Sequence, residues 1–128
     1  DEIKQMRDRI ACMYNTAIRD KEGITICSNG TNHYTPYVYV VRVCEMCRPV
    51  FISKLQEDGI ETSIHYPVLD YEYFKPLKDL WEGQYPIADK VCGEVVSIPL
   101  YPGMGLPFVQ TVIKSVLRAL DVINQLPK

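Results

Sequence analysis

The sequence predicts an α+β domain: a small, mostly antiparallel sheet covered by helices. Three observations predict it. Amphipathic repeats open and close the chain, and Tyr37–Val43 is dense in β-branched and aromatic residues. The helical runs also separate the strands without the regular alternation of a doubly wound sheet.

Taken in order, Asp1–Asp20 reads as a long helix. Ile3, Met6, Ile10, Met13 or Tyr14, and Ala17 follow the three-to-four residue repeat. Gly23 is the expected C-cap, because glycine reaches the left-handed conformation without a side-chain clash. Ile24–Cys27 reads as a short strand, and Ser28–Thr35, polar and containing Asn-Gly, as a loop. Tyr37–Val43 is the strongest strand, and its apolar residues on both faces predict a central position. Arg48–Asp58 is a second helix, with Pro49 in its first turn and Val50, Phe51 and Leu55 as its stripe. Gly59 ends it, and Ile60–His65 reads as a further strand. Tyr66–Tyr85 is irregular and aromatic, with a short helix expected within Phe74–Leu80. Pro86–Val96 is a third helix, with Ile87, Val91, Cys92 and Val95 on its apolar side. Ser97–Tyr101 is extended and closed by Pro102-Gly103. Leu106–Asn124 is the last helix. Val109, Val112, Ile113, Val116, Leu117, Leu120 and Ile123 mark its buried face.

Composition narrows the function. The 128 residues fit one domain, with no linker to divide them. Apolar residues make up 47% and charged residues 23%, with a net charge of −2. This is the composition of a folded chain without the basic footprint of a nucleic-acid binder. No apolar run approaches the roughly 20 residues of a membrane span, and no basic run is long enough for a membrane patch. Five cysteines, an odd number without a secretory leader, argue for reduced thiols in a cytoplasmic protein. The chain begins at Asp1, without methionine and directly in a helical pattern, which suggests a piece of a longer protein.

Few residues invite chemistry. Cys44-x-x-Cys47 has the spacing of a redox pair or half a zinc site. No second Cys-x-x-Cys and no His-x-x-x-His follows, so incidental cysteines are the preferred reading. His33, in a polar loop, reads as solvated. His65 is more informative. In Ile60-Glu-Thr-Ser-Ile-His65, Ile60, Thr62 and Ile64 share one face, and Glu61, Ser63 and His65 share the other, more polar one. His65 thus sits at a strand end leading into a loop, where sites are often built. The carboxylates of Gln56-Glu57-Asp58 and Asp70-Tyr71-Glu72 read as solvated surface. No dinucleotide fingerprint, P-loop or nucleophile elbow occurs.

Several segments resemble, in order, the C-terminal region of the DegT/DnrJ/EryC1/StrS sugar aminotransferases. They are Arg9-Ile10-Ala11-x-x-Tyr14-Asn15, the Glu22-Gly23-Ile24 turn, the strand Tyr37–Val43, and Arg48 with the helix to Leu55. Gly59-Ile60-Glu61-Thr62-Ser63-Ile64-His65-Tyr66-Pro67 is the most specific. Pro86-x-Ala88-x-Lys90-Val91 and Ser97-Ile98-Pro99-Leu100-Tyr101-Pro102-Gly103 complete the series. The chain departs from the family after Pro67, where a Pro-Leu-His run is common and Val68-Leu69-Asp70-Tyr71 stands here. It departs again at Gly105-Leu106-Pro107, where the family has a more acidic helix start.

The resemblance implies the small domain of a fold-type I aminotransferase over residues 1–128, with the large cofactor-binding domain absent. Family members use pyridoxal 5′-phosphate (PLP) to move an amino group, commonly from glutamate, onto a nucleotide-linked keto sugar, in polysaccharide or natural-product sugar biosynthesis. The intact parent is expected to be a cytoplasmic homodimer binding neither nucleic acid nor membrane. The catalytic lysine and the cofactor contacts are expected in the large domain, because they must be held rigidly together. None of the eight lysines here stands in a context like the family's Schiff-base segment. No catalytic, cofactor or metal residue is therefore assigned, no cofactor is expected on the isolated chain, and the chain alone is expected to be inactive. His65 and Tyr66 are the expected substrate-binding residues, positioning the sugar or its diphosphate rather than transferring protons. Two alternatives are a stand-alone, non-catalytic binding module of the same fold and, more weakly, a redox or zinc protein using Cys44 and Cys47.

Overall fold

Asp1 caps the first helix, α1 (Glu2–Ile18). Its carboxylate accepts from the amides of Ile3 at 2.9 Å and Lys4 at 3.3 Å, two donors the first turn would leave unpaired. The computed structural model describes residues 1–27, 36–65, 75–76, 80 and 83–127. Along it follow β1 (Ile24–Ile26), β2 (Tyr39–Val43), α2 (Arg48–Glu57), α3 (Pro86–Glu94), β3 (Val95–Ile98) and α4 (Leu106–Ile123). The three strands form an antiparallel sheet in the order β1-β2-β3, with Ile24 opposite Val43 and Tyr39 opposite Ile98.

The strand β2 is central, and its alternation builds the core. Tyr39, Val41 and Val43 share a fully shielded face with Val96 and Ile98 of β3. Onto this face pack Ile10, Tyr14 and Ile18 of α1, Phe51 and Leu55 of α2, and the valine stripe of α4. The helix α4 buries Val109, Val112, Val116, Leu120 and Ile123 at three-to-four residue spacing. The small helix α3 lies against the other face of β2. There Arg42 donates to Oε2 of Glu94 through Nε at 3.0 Å and Nη2 at 2.6 Å. Arg48 ties α2 to the same corner: its Nη1 donates to the Cys92 carbonyl at 2.7 Å, one of the acceptors that the end of α3 leaves unpaired.

Several expectations need correction. The left-handed residue that directly follows the end of α1 is Asp20 (φ 64°), so Gly23 is not the cap of this helix. Gly23 (φ 85°) instead shapes the turn into β1, where an added Cβ would collide with the side chain of Asn124. That asparagine donates to the Glu22 carbonyl at 3.0 Å and so fastens the end of α4 to the turn. The helix α3 stops at Glu94, and Val95 and Val96 begin β3, so this strand starts two residues before Ser97. The side of α3 expected to be buried contributes nothing to the core, and Ile87 is 79% exposed. Ile60–His65 alternates as a strand would, but it meets the sheet only through a single bridge between Ser63 and Ser97. The short helix expected within 74–80 lies largely outside the described residues, as does the loop 28–35.

Two tyrosines join the layers. The Tyr14 and Tyr39 rings meet edge-on at 4.9 Å between centroids. The Tyr14 hydroxyl donates to the Pro99 carbonyl at 2.6 Å, and that of Tyr39 to Asn15 Oδ1 at 2.7 Å. Burial raises both phenols above their usual value of 10.0, helped at Tyr14 by Tyr39 and Tyr101. The folded chain thus holds these protons where the unfolded chain has lost them. The stabilisation is complete below about pH 10 and declines as pH rises from there toward the folded values. Tyrosinate absorbance and circular dichroism, followed together in an alkaline titration, should show these two rings ionising only as the fold is lost.

Candidate functional site

At the end of the sheet where β2 starts and β3 finishes, an open cavity of about 520 Å³ gathers segments distant in sequence. Helix α1 supplies Arg7, the approach to β2 supplies Tyr37, and the segment after α2 supplies Glu61, Ser63 and His65. Ser97 and the run to Tyr101 complete the wall. The alternation read from sequence decides what faces the cavity. Ile60 is buried and Thr62 and Ile64 are half-buried, while Glu61, Ser63 and His65 turn outward into it.

His65 is held in place. Its Nδ1 lies 2.7 Å from Ser97 Oγ, and which of the two donates depends on the imidazole tautomer. Ser97 is only 6% exposed, and its backbone exchanges two hydrogen bonds with Ser63, at 2.7 and 3.1 Å. The bridge therefore places Ser97 where its hydroxyl can orient a ring two residues beyond Ser63. Tyr66, expected beside it, lies outside the described residues, as do His33 and Val68-Leu69-Asp70-Tyr71.

Arg7 was not legible as a site residue. On α1 it stands beside Asp8 and Arg9 and reads as one more solvated charge. In the structure its Cζ lies 5.3 Å from the centroid of the Tyr37 ring, a cation–π stack. Its Nε is shielded from solvent without a hydrogen-bond partner among the described residues. A shielded, unpaired donor on a cation at the cavity wall favours an anionic oxygen as its partner. Ser97 likewise reads from sequence as part of an extended piece and of the Ser97–Gly103 motif, without a role at the site. No local signal marks either residue, because both acquire their role through contacts between distant segments.

Among the described residues that line the cavity there is no lysine. Lys4 and Lys54 are paired on helix surfaces with Asp8 at 2.6 Å and Glu57 at 2.9 Å, and Lys90 lies 4.0 Å from Glu94. Among the described residues no group of three His, Cys, Asp or Glu could hold a metal ion, and no helix is long and apolar enough to cross a membrane.

This architecture is that of one portion of the sugar aminotransferases. The chain superposes on the aminotransferase TlmJ from Streptoalloteichus hindustanus with a TM-score of 0.83 at 23% identity, covering 96% of this chain and 33% of that one. NtdA from Bacillus subtilis, solved with bound cofactor PMP, gives 0.79 at 21% identity, covering 93% and 28%. Residues 1–117 match the DegT/DnrJ/EryC1/StrS aminotransferase family, and the chain belongs to it. A curated relative is the dTDP-3-amino-3,6-dideoxy-α-D-galactopyranose transaminase of Aneurinibacillus thermoaerophilus. It is 30% identical over 118 residues, which cover 92% of this chain and 32% of that protein. The chain therefore spans about a third of the length of the relatives it matches.

Pyridoxal phosphate, the cofactor implied by the family, needs an amine for its aldehyde carbon and rigid holds for its ring and phosphate. The described residues of the cavity include no lysine, so they do not make a cofactor site of their own.

Proposed function

We propose that residues 1–128 are the C-terminal small domain of a PLP-dependent aminotransferase acting on nucleotide-linked keto sugars, whose cofactor-binding large domain lies outside this chain. The observation that carries the proposal is the family match over residues 1–117, on a chain a third as long as its relatives. The parent works in the cytoplasm as a homodimer, takes its amino group from glutamate, and serves the synthesis of amino sugars. The chain alone is inactive.

Within the parent, this chain supplies one wall of the substrate pocket. His65, steadied by Ser97, and Tyr66 hydrogen-bond the sugar or its diphosphate. Arg7 supplies a fixed positive charge for an anionic oxygen on the same substrate. These residues orient the substrate, while the amine chemistry belongs to the large domain. Exposed Ile3 and Met6 on α1, together with Tyr101 and Leu106, supply apolar surface for that domain to cover.

Incubating the full-length protein with glutamate and a nucleotide-linked keto sugar tests the proposal. The expected result is an amino sugar with an equal amount of 2-oxoglutarate, and no turnover by the 128-residue chain. Turnover by this chain alone would overturn the division of labour. No transfer to any nucleotide-linked keto sugar by the full-length protein would overturn the activity.

A further inference from the structure

The corner between β2 and α2 carries a pair of thiols that the aminotransferase reading leaves without a role. Cys44 follows the last residue of β2, and Cys47 is the N-cap of α2. The turn between them is closed by two hydrogen bonds: the Cys44 carbonyl accepts from the amide of Cys47 at 2.8 Å and of Arg48 at 2.9 Å. A turn closed in this way keeps its first and fourth Cα atoms within about 7 Å, the separation a disulfide requires. Cys44 is exposed and Cys47 half-buried, so an incoming reagent meets Cys44 first. On the far side, Gly93 of α3 rests against the side chain of Glu45, with Glu45 Cδ 2.7 Å from where a Cβ would stand. The neighbouring Met46 is 86% exposed and leaves the solvent side open.

We propose that Cys44 and Cys47 form a dithiol–disulfide site at the amino end of α2, with Cys44 as the attacking thiol and Cys47 as the resolving one, reacting with low-molecular-weight disulfides. The surrounding hydrogen bonds support this division. The Cys44 thiol lies below its ordinary value, chiefly through the neighbouring Cys47 thiol and then the backbone amides of Cys47 and Met46, against smaller opposing effects of burial and of Glu94. Glu94 is already engaged by Arg42. Burial raises the Cys47 thiol, and the hydrogen bond it gives to Cys44 raises it further. An exposed sulfur that ionises readily beside a sheltered one that does not is the asymmetry of a Cys-x-x-Cys pair at a helix start.

The reaction balances as two exchanges. The Cys44 thiolate attacks one sulfur of a disulfide RSSR, forming a mixed disulfide and releasing one RS⁻. Cys47 then loses its proton and attacks the Cys44 sulfur, closing the protein disulfide and releasing the second RS⁻. Two protein thiols and one RSSR become one protein disulfide and two RSH. A zinc site is disfavoured, because zinc takes about four ligands and no cluster of three lies among the described residues.

The test uses the full-length protein, reduced and then equilibrated with oxidised glutathione, quenched in acid and mapped by peptide mass. A Cys44–Cys47 linkage is expected, and in the reduced protein Cys44 should alkylate about tenfold faster at neutral pH than Cys12, which is exposed on α1. Cys47→Ser should trap glutathione on Cys44, whereas Cys44→Ser should leave Cys47 unmodified. Equal alkylation of Cys44 and Cys12, a linkage to Cys27 or Cys92 instead, or no linkage at all would overturn the proposal. The measurements on the unsubstituted protein decide this even if a variant fails to fold. None of them depends on aminotransferase activity.

Discussion

Tyr14→Ala is expected to lower stability by about 3–5 kcal/mol, the cost typical of deleting a large aromatic side chain from a packed interior. Tyr14 has no exposed surface. It serves three layers at once, packing from α1 against the Tyr39 ring of β2 and donating to the Pro99 carbonyl beyond β3. An aromatic pair of this kind contributes about 0.5–1.5 kcal/mol beyond its buried area. Tyr14→Phe keeps the ring but leaves the Pro99 carbonyl without its donor, at a cost of about 1–3 kcal/mol. Denaturant titrations should therefore rank wild type above Phe above Ala. Because Pro99 also lines the cavity, the Phe variant should weaken substrate binding in the parent as well as stability. A Phe variant as stable as wild type would show that the bond to Pro99 contributes nothing.

The second large effect concerns binding rather than folding. In the full-length enzyme, His65→Ala should raise KM for the nucleotide sugar about 10- to 100-fold, the loss of one well-placed hydrogen bond to a charged or polar group. The positioning role proposed for His65 requires the maximal rate to change far less. Stability should fall by about 1 kcal/mol, since the exposed ring gives up its hydrogen bond to the buried Ser97 hydroxyl. Arg7→Gln should act in the same direction, through the loss of a half-buried charge–anion contact. A fall in maximal rate at unchanged KM would move His65 from positioning into the chemistry. No change in either parameter would remove it from the site.

The helical ends of the fold were legible because their periodicity admits one reading. The stripe from Val109 to Ile123 has no alternative as a strand. The strand β2 was legible for the complementary reason, since Tyr39, Val41 and Val43 alternate through a β-branched run. The boundary between α3 and β3 was not, because Val95 and Val96 continue the apolar side of the helix as readily as they begin a strand. The helix stops there because Val95 turns to extended backbone (φ −74°, ψ 139°) to pair with Arg42. The alternation of Ile60–His65 correctly told which side chains face the cavity. It could not tell that only Ser63 would find a partner, because pairing depends on the position of β3 thirty residues away. The same distance hid the bond between His65 and Ser97, and the stacking of Arg7 on Tyr37. Local patterns report which residues turn inward, whereas a cavity is assembled by the fold.

The central claim is that this chain shapes a substrate pocket while its catalytic lysine lies elsewhere. Borohydride reduction of the full-length protein loaded with pyridoxal phosphate, followed by peptide mapping, tests it most directly. The account predicts a single modified lysine outside residues 1–128. Modification of a lysine within the chain, such as Lys54, Lys90 or Lys114, would contradict it, as would a reading frame that encodes these residues alone.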